Sequence, residues 1–153
     1  MSPEGSSLLF QGIPASLRFQ PEQKRVLQRF AKHLSKRIAD GRSFCCLLTN
    51  DEALQRLNSQ FRHLDQPTDV LSFPRIAANG ELGELAISVE RAAGQARQYG
   101  HGLLDEVRIL MLHGVLHLVG MDHERDRGEM ERVERKLRTE FGLPDGLIAR
   151  VRR

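Results

Sequence analysis

The chain has 153 residues, enough for one domain with a real hydrophobic core, and its 40% hydrophobic and 28% charged residues set it apart from membrane-embedded, fibrous and disordered chains. No apolar run reaches bilayer length and the start lacks a basic leader, so a cytoplasmic protein without a membrane partner is expected. The net charge is only +3, but 19 arginines stand against 4 lysines, and the planar arginine fork suits phosphate, although compositional bias explains much of that ratio.

Leu8 to Gln11 reads as a short first strand. Residues 21–39 read as a helix that starts at Pro21 and stops before Gly41, with Leu27, Phe30, Ala31, Leu34 and Ile38 as its apolar stripe. Arg25, Arg29, Lys32 and Lys36 line a neighbouring face, as a solvated side or a phosphate contact. Phe44 to Leu48 is an internal strand. Its adjacent Cys45 and Cys46 point to opposite faces and read as small apolar residues in a reducing compartment, not as a disulfide framework. Asp51 to Gln60 is a short helix with Asn50 as its N-cap.

Val70 to Phe73 is a strand bounded by Pro67 and Pro74. Asn79-Gly80 is a turn signal, and Gly83 to Ser88 is the next strand, antiparallel to its predecessor across that turn. Glu90 to Gln98 is an alanine-rich helix. Leu103 to Val119 is the most hydrophobic helix, apolar around most of its circumference and therefore buried on nearly all sides. A last helix runs from about Asp126 to Phe141, with Met130, Val133 and Leu137 toward the core and the favourable pairs Glu131–Arg135 and Glu134–Arg138 four apart. Five helices and about four strands without regular alternation give an α+β fold in a single domain over 1–153, with 1–6 and 145–153 loose.

The segment His113-Gly-Val-Leu-His-Leu-Val-Gly-Met-Asp-His123 holds half of the six histidines. His113 and His117 are four apart and so share one helix face. Gly120 permits a left-handed turn that brings His123 back toward the same point. Three neutral imidazoles and an open position describe a catalytic zinc site rather than a structural one. Packing alone is a poor alternative, because Val115, Leu116, Leu118 and Val119 offer the imidazoles no hydrogen-bond partners. The spacing is shared with a zinc-protease signature, but the residue after the first histidine is then a glutamate base, and here it is Gly114. Zinc lowers the pKa of a water it holds to about 7, so hydrolysis of peptides and of phosphodiesters both stay open on spacing alone. Asp122 either orients an imidazole or caps the turn. Thr68 and Ser72 either donate to a phosphate or satisfy backbone groups. His63 and His101 read as ordinary surface residues, and Glu124 as a proton acceptor with nothing to place it.

Four stretches in order carry a family resemblance: Asn58-x3-Arg62, Pro67-Thr-Asp-Val-Leu-Ser-Phe-Pro74, Gly83-Glu84-Leu85 and the histidine segment. Together they closely resemble the YbeY family of bacterial endoribonucleases and rRNA maturation factors, from about residue 44 to residue 141. The resemblance implies that His113, His117 and His123 bind one zinc ion, with His113 and Arg62 serving catalysis and Arg62 facing the metal cleft. It implies a small mixed sheet with helices packed over it. It also implies single-stranded RNA as substrate, notably precursor small-subunit rRNA at its 3′ end, with the ribosome as working partner, a part in ribosome quality control, and no DNA. The sequence departs from the family at Met121, where tyrosine is frequent, in a shorter and less acidic stretch after His123, and in a first forty residues that match only in outline. The competing readings are a ribosome-assembly protein that binds RNA around a structural zinc, and a metzincin-like metalloprotease without its glutamate.

Overall fold

In the computed structural model, which describes residues 5–62, 68–75 and 80–144, four strands and five α-helices follow one another with short connections. They are β1 (Ser7–Phe10), α1 (Pro21–Ala39), β2 (Phe44–Thr49), α2 (Asp51–Arg62), β3 (Val70–Pro74), β4 (Gly83–Ser88), α3 (Val89–Tyr99), α4 (Leu103–Leu118) and α5 (Glu129–Glu140). The sheet order is β1-β2-β4-β3, with β1, β2 and β4 parallel and β3 antiparallel to β4. This is the expected α+β architecture with a mixed sheet. The antiparallel β3–β4 pair is present, while Asn79 of the expected turn lies outside the described residues.

The period of two along the strands divides the sheet into two apolar faces. Cys46 and Leu48 of β2 and Leu85 and Ile87 of β4 face the main core, built with α1, α3 and α4. Leu71 and Ala86 face the other way, where Leu54 of α2 covers them. Both strand faces are therefore occupied, which is why β2 and β4 read as nearly continuous apolar runs. Cys45 and Cys46 are free thiols divided between those faces, and burial pushes the Cys46 thiol far above its ordinary pKa.

The main core closes around α4. Val107, Leu110, Met111, Val115 and Leu116 are fully buried, and the helix contacts α1, α3, α5, β3 and β4. Close approach to the sheet depends on Gly114. A Cβ there would lie 2.7 Å from Leu85 Cδ2 and 3.3 Å from Ser72 Oγ, and the Ser72 hydroxyl donates to the Gly114 carbonyl at 3.1 Å. The helix and the strands beneath it thus form one rigid unit, which is what a site built on their ends needs.

The helix caps follow the sequence. Asn50 Oδ1 accepts from the Ala53 N–H at 2.8 Å, and the Gln20 N–H donates to Gln23 Oε1 at 2.7 Å above Pro21. Most helix and strand ends differ from expectation by one to three residues, and two of the differences have a visible local cause. The first strand begins at Ser7, because Ser6 is buried: its hydroxyl lies 2.6 Å from that of Ser35 and accepts the Phe44 N–H at 3.1 Å. Residue 6 is thereby anchored rather than loose, whereas residues 1–4 and 145–153 lie outside the described residues. The last helix begins at Glu129, not Asp126. Gly128 takes φ +93°, and the Asp126 carboxylate accepts from the N–H groups of Gly128 and Met130, both at 2.9 Å, so Asp126 caps α5 from outside. Among the described residues, no helix is long and apolar enough to cross a membrane.

Candidate metal centre

The last turn of α4 sets His113 and His117 on one face, their ring centroids 4.8 Å apart. Gly120 then adopts φ +97° and reverses the chain, while the Met121 N–H reaches back to the Leu116 carbonyl at 3.1 Å. The reversal carries His123 to within 5.8 Å of the His113 ring and 6.0 Å of the His117 ring, centroid to centroid. One nitrogen of each histidine can be chosen so that all three lie within 4.8 Å of one another, an arrangement able to hold a metal ion. The three rings border a cavity of about 490 Å³ that is also lined by Asp69, Ser72, Asp122 and Glu124.

The hydrogen bonds fix which nitrogens are available. His113 Nδ1 lies 2.7 Å from Glu134 Oε2, and His117 Nδ1 lies 2.9 Å from the Met121 carbonyl oxygen. Carboxylate and carbonyl oxygens accept, so each Nδ1 carries the proton and each Nε2 keeps its lone pair. Those two Nε2 atoms face each other at 3.1 Å. Two lone pairs at that distance repel unless a cation sits between or beside them. Burial first, and then the adjacent His113, hold the His117 pKa below its usual value, which disfavours an added proton on that ring. The Nδ1 of His123 is buried without a hydrogen-bond partner. Neutral imidazoles with inward lone pairs are the donor set that zinc and related divalent ions take.

The sequence-derived site residues fare differently. His113, His117 and His123 come together. Arg62 closes α2, but its side chain, like His63, falls outside the described residues. For Asp122, the hydrogen bonds show the turn-capping option. Its Oδ1 accepts from the Glu124 N–H at 3.0 Å, and its carbonyl takes the N–H groups of Arg125 and Asp126, so it caps the turn. Glu134 holds an imidazole in its place. Helical spacing pairs Glu134 with Arg138 and leaves it out of the expected core stripe, whereas its side chain is buried against His113. A signal was present: Met130, Glu134 and Leu137 fall at i, i+4 and i+7, and all three are buried. A carboxylate in a core stripe needs a partner inside.

Ser72 is held by the Gly114 carbonyl, and Thr68 is half-buried. Glu124 is exposed at the cavity rim. His101 is not a surface residue: its ring is buried, and Nε2 lies 2.6 Å from Oε1 of the fully buried Glu106. The basic residues of α1 are exposed and do not line this cavity.

Comparison with known proteins agrees with this geometry. Residues 14–142 match the family model described as Endoribonuclease YbeY. The Endoribonuclease YbeY of Solibacter usitatus is 53% identical over 150 residues, 98% of this chain and 97% of that one. That of Nautilia profundicola is 50% identical over 105 residues, 68% of this chain and 76% of its own. The solution structure of TM1509 from Thermotoga maritima superposes with a TM-score of 0.58 at 26% identity, over 84% of this chain and 85% of that one. The likeness thus extends into the N-terminal region that the motifs alone matched only in outline.

Proposed function

The chain belongs to the YbeY endoribonuclease family, and from that premise we propose that it is a zinc-dependent endoribonuclease that cuts single-stranded RNA. The observation that carries the reading is the pair of imidazole Nε2 atoms facing each other at 3.1 Å, each ring fixed through its Nδ1, on the rim of an open cavity. His113, His117 and His123 would hold one zinc ion. When bound, zinc supplies a Lewis acid that activates water near neutral pH and polarises a phosphoryl oxygen.

The chain's own groups supply the rest. Glu124, exposed at the cavity rim, would take the proton as water bonds to phosphorus and the bond from phosphorus to the departing ribose oxygen breaks, and would return that proton to the departing oxygen. Asp69 is less suited, since its oxygens already accept from the Val70 N–H and from Gln95 Nε2. Asp122 is committed to its turn. Arg62, at the end of the helix that covers the β3 side of the sheet, stabilises the negative charge that builds on the phosphate oxygens, as the family resemblance implies. Gly114 does no chemistry. Its missing side chain serves packing, and a Cβ there would meet Leu85 and Ser72. The absence of a protease base at this position therefore follows from the sheet beneath the helix.

The biological substrate we propose is precursor 16S rRNA at its 3′ end, with the small ribosomal subunit as partner, in cytoplasmic rRNA maturation and ribosome quality control. The test is cleavage of an unstructured RNA by zinc-loaded protein, with His117→Ala and Arg62→Ala beside the wild type. Both variants are expected to lose nearly all activity. Undiminished cleavage in either sinks the mechanism, and RNA binding without turnover above a nuclease-free control points to an assembly factor. A 2′,3′-cyclic phosphate on the product would assign the attack to the RNA 2′-hydroxyl rather than to water.

A further inference from the structure

We propose that Glu134 is the positioning residue of the metal centre, an inference that rests on the reading of the three histidines as metal ligands. Glu134 projects from α5 across to α4, twenty-one positions back in the chain, and its Oε2 lies 2.7 Å from His113 Nδ1. The contact is sealed: the side chains of His113 and Glu134 are 9% and 3% exposed. Burying a carboxylate is costly, and a hydrogen-bonded partner of opposite polarity is what makes it tolerable. On a helix whose other buried residues are Met130 and Leu137, an apolar side chain at 134 would serve the core as well. The carboxylate therefore has a specific task at the imidazole.

That task has three parts. The acceptor at Nδ1 holds His113 in the tautomer whose Nε2 lone pair faces the cavity. The contact stops rotation of the ring, so Nε2 stays 3.1 Å from that of His117. The negative charge behind the ring favours its donation to a cation. The three histidines are supported unequally: His113 by a carboxylate, His117 by the Met121 carbonyl, and His123 by no hydrogen bond at its buried Nδ1. Of these supports, only the one behind His113 carries a negative charge. The same contact ties α5 to the site, so metal binding and the docking of α5 reinforce each other.

The test compares wild type, Glu134→Gln and Glu134→Leu. The amide oxygen of glutamine can still accept the Nδ1 proton but brings no charge, and leucine removes the acceptor. Zinc affinity is measured by competition with a chromophoric chelator, and the tautomer of His113 by nitrogen-15 NMR of the zinc-free protein. Affinity is expected to fall in the order wild type, Gln, Leu, with a loss of about 10–100-fold for leucine. In zinc-free Glu134→Leu, His113 is expected to lose its preference for the Nδ1-protonated tautomer. If leucine prevents folding, glutamine alone decides. Folded variants that bind zinc within twofold of wild type overturn the proposal and leave Glu134 as a packing residue. A wild-type protein that takes up no zinc overturns the metal reading itself, a different and distinguishable failure.

Discussion

Gly114→Ala places a methyl group at the tightest point between α4 and the sheet. The new Cβ would sit 2.7 Å from Leu85 Cδ2 and 3.2 Å from its Cδ1, where ordinary contact is near 3.5–4.0 Å. Leu85 is 1% exposed, so its end has no solvent to move into. Overpacking of this kind costs about 1–3 kcal/mol. Against it stands the better helix propensity of alanine, worth about 1 kcal/mol at an interior position. The net expectation is a loss of about 0–2 kcal/mol in a wild-type background. Truncating the obstacle reverses the sign. Leu85→Ala alone costs about 2–5 kcal/mol through the cavity it opens, but adding Gly114→Ala to it should then stabilise by about 1 kcal/mol. A double-mutant cycle by urea denaturation reads the difference, and the coupling should favour the pair by about 1–3 kcal/mol. If Gly114→Ala has the same effect in both backgrounds, the glycine is not there for close approach, and the explanation offered for the missing protease base fails with it.

Two more outcomes follow from local chemistry. The Met130 N–H, and next the Gly128 N–H, hold the Asp126 carboxyl below its ordinary value of 3.8, so Asp126 contributes stability above that pH and loses it as the pH falls through its depressed folded value. Asp126→Asn should flatten part of the acid limb of a denaturation profile, and an unchanged limb would remove Asp126 as the cap of α5. Thiol titration of the native protein at neutral pH should find at most one reactive group, Cys45, and two after unfolding, because Cys46 is fully buried and burial drives its pKa upward. Two groups reacting at once in the native state would contradict the packing of β2.

What the sequence disclosed was governed by range. Helix α1 was legible to the residue, since Pro21 sets its start, Gly41 follows its stop, and one apolar stripe lies between them. The histidine segment was legible for the same reason, because a helical period and one glycine turn place three rings with no help from distant chain. The burial of Glu134 against His113 is not legible in the sequence, because that partner is twenty-one residues away while its (i, i+4) neighbour Arg138 offers a local pairing. His101 escapes for another reason: its partner Glu106 is only five residues on, but His101 precedes the helix that carries Glu106, so no helical spacing links the two. Gly114 was noticed for the base it lacks, while its packing role depends on Leu85 and Ser72 from two strands earlier in the chain. Asp126 looked like a first helical residue because capping from outside the helix and membership of its first turn favour the same acidic side chain.

The central claim is that the three histidines bind one metal ion and that RNA cleavage depends on it. The most direct measurement titrates zinc into chelator-stripped protein and follows bound metal and cleavage of an unstructured RNA in the same samples. The account predicts no cleavage without metal, a rise in proportion to bound zinc, a plateau at about one ion per chain, and neither binding nor cleavage in His117→Ala. Cleavage at full rate by the stripped protein, or tight zinc binding that His117→Ala leaves intact, would contradict it.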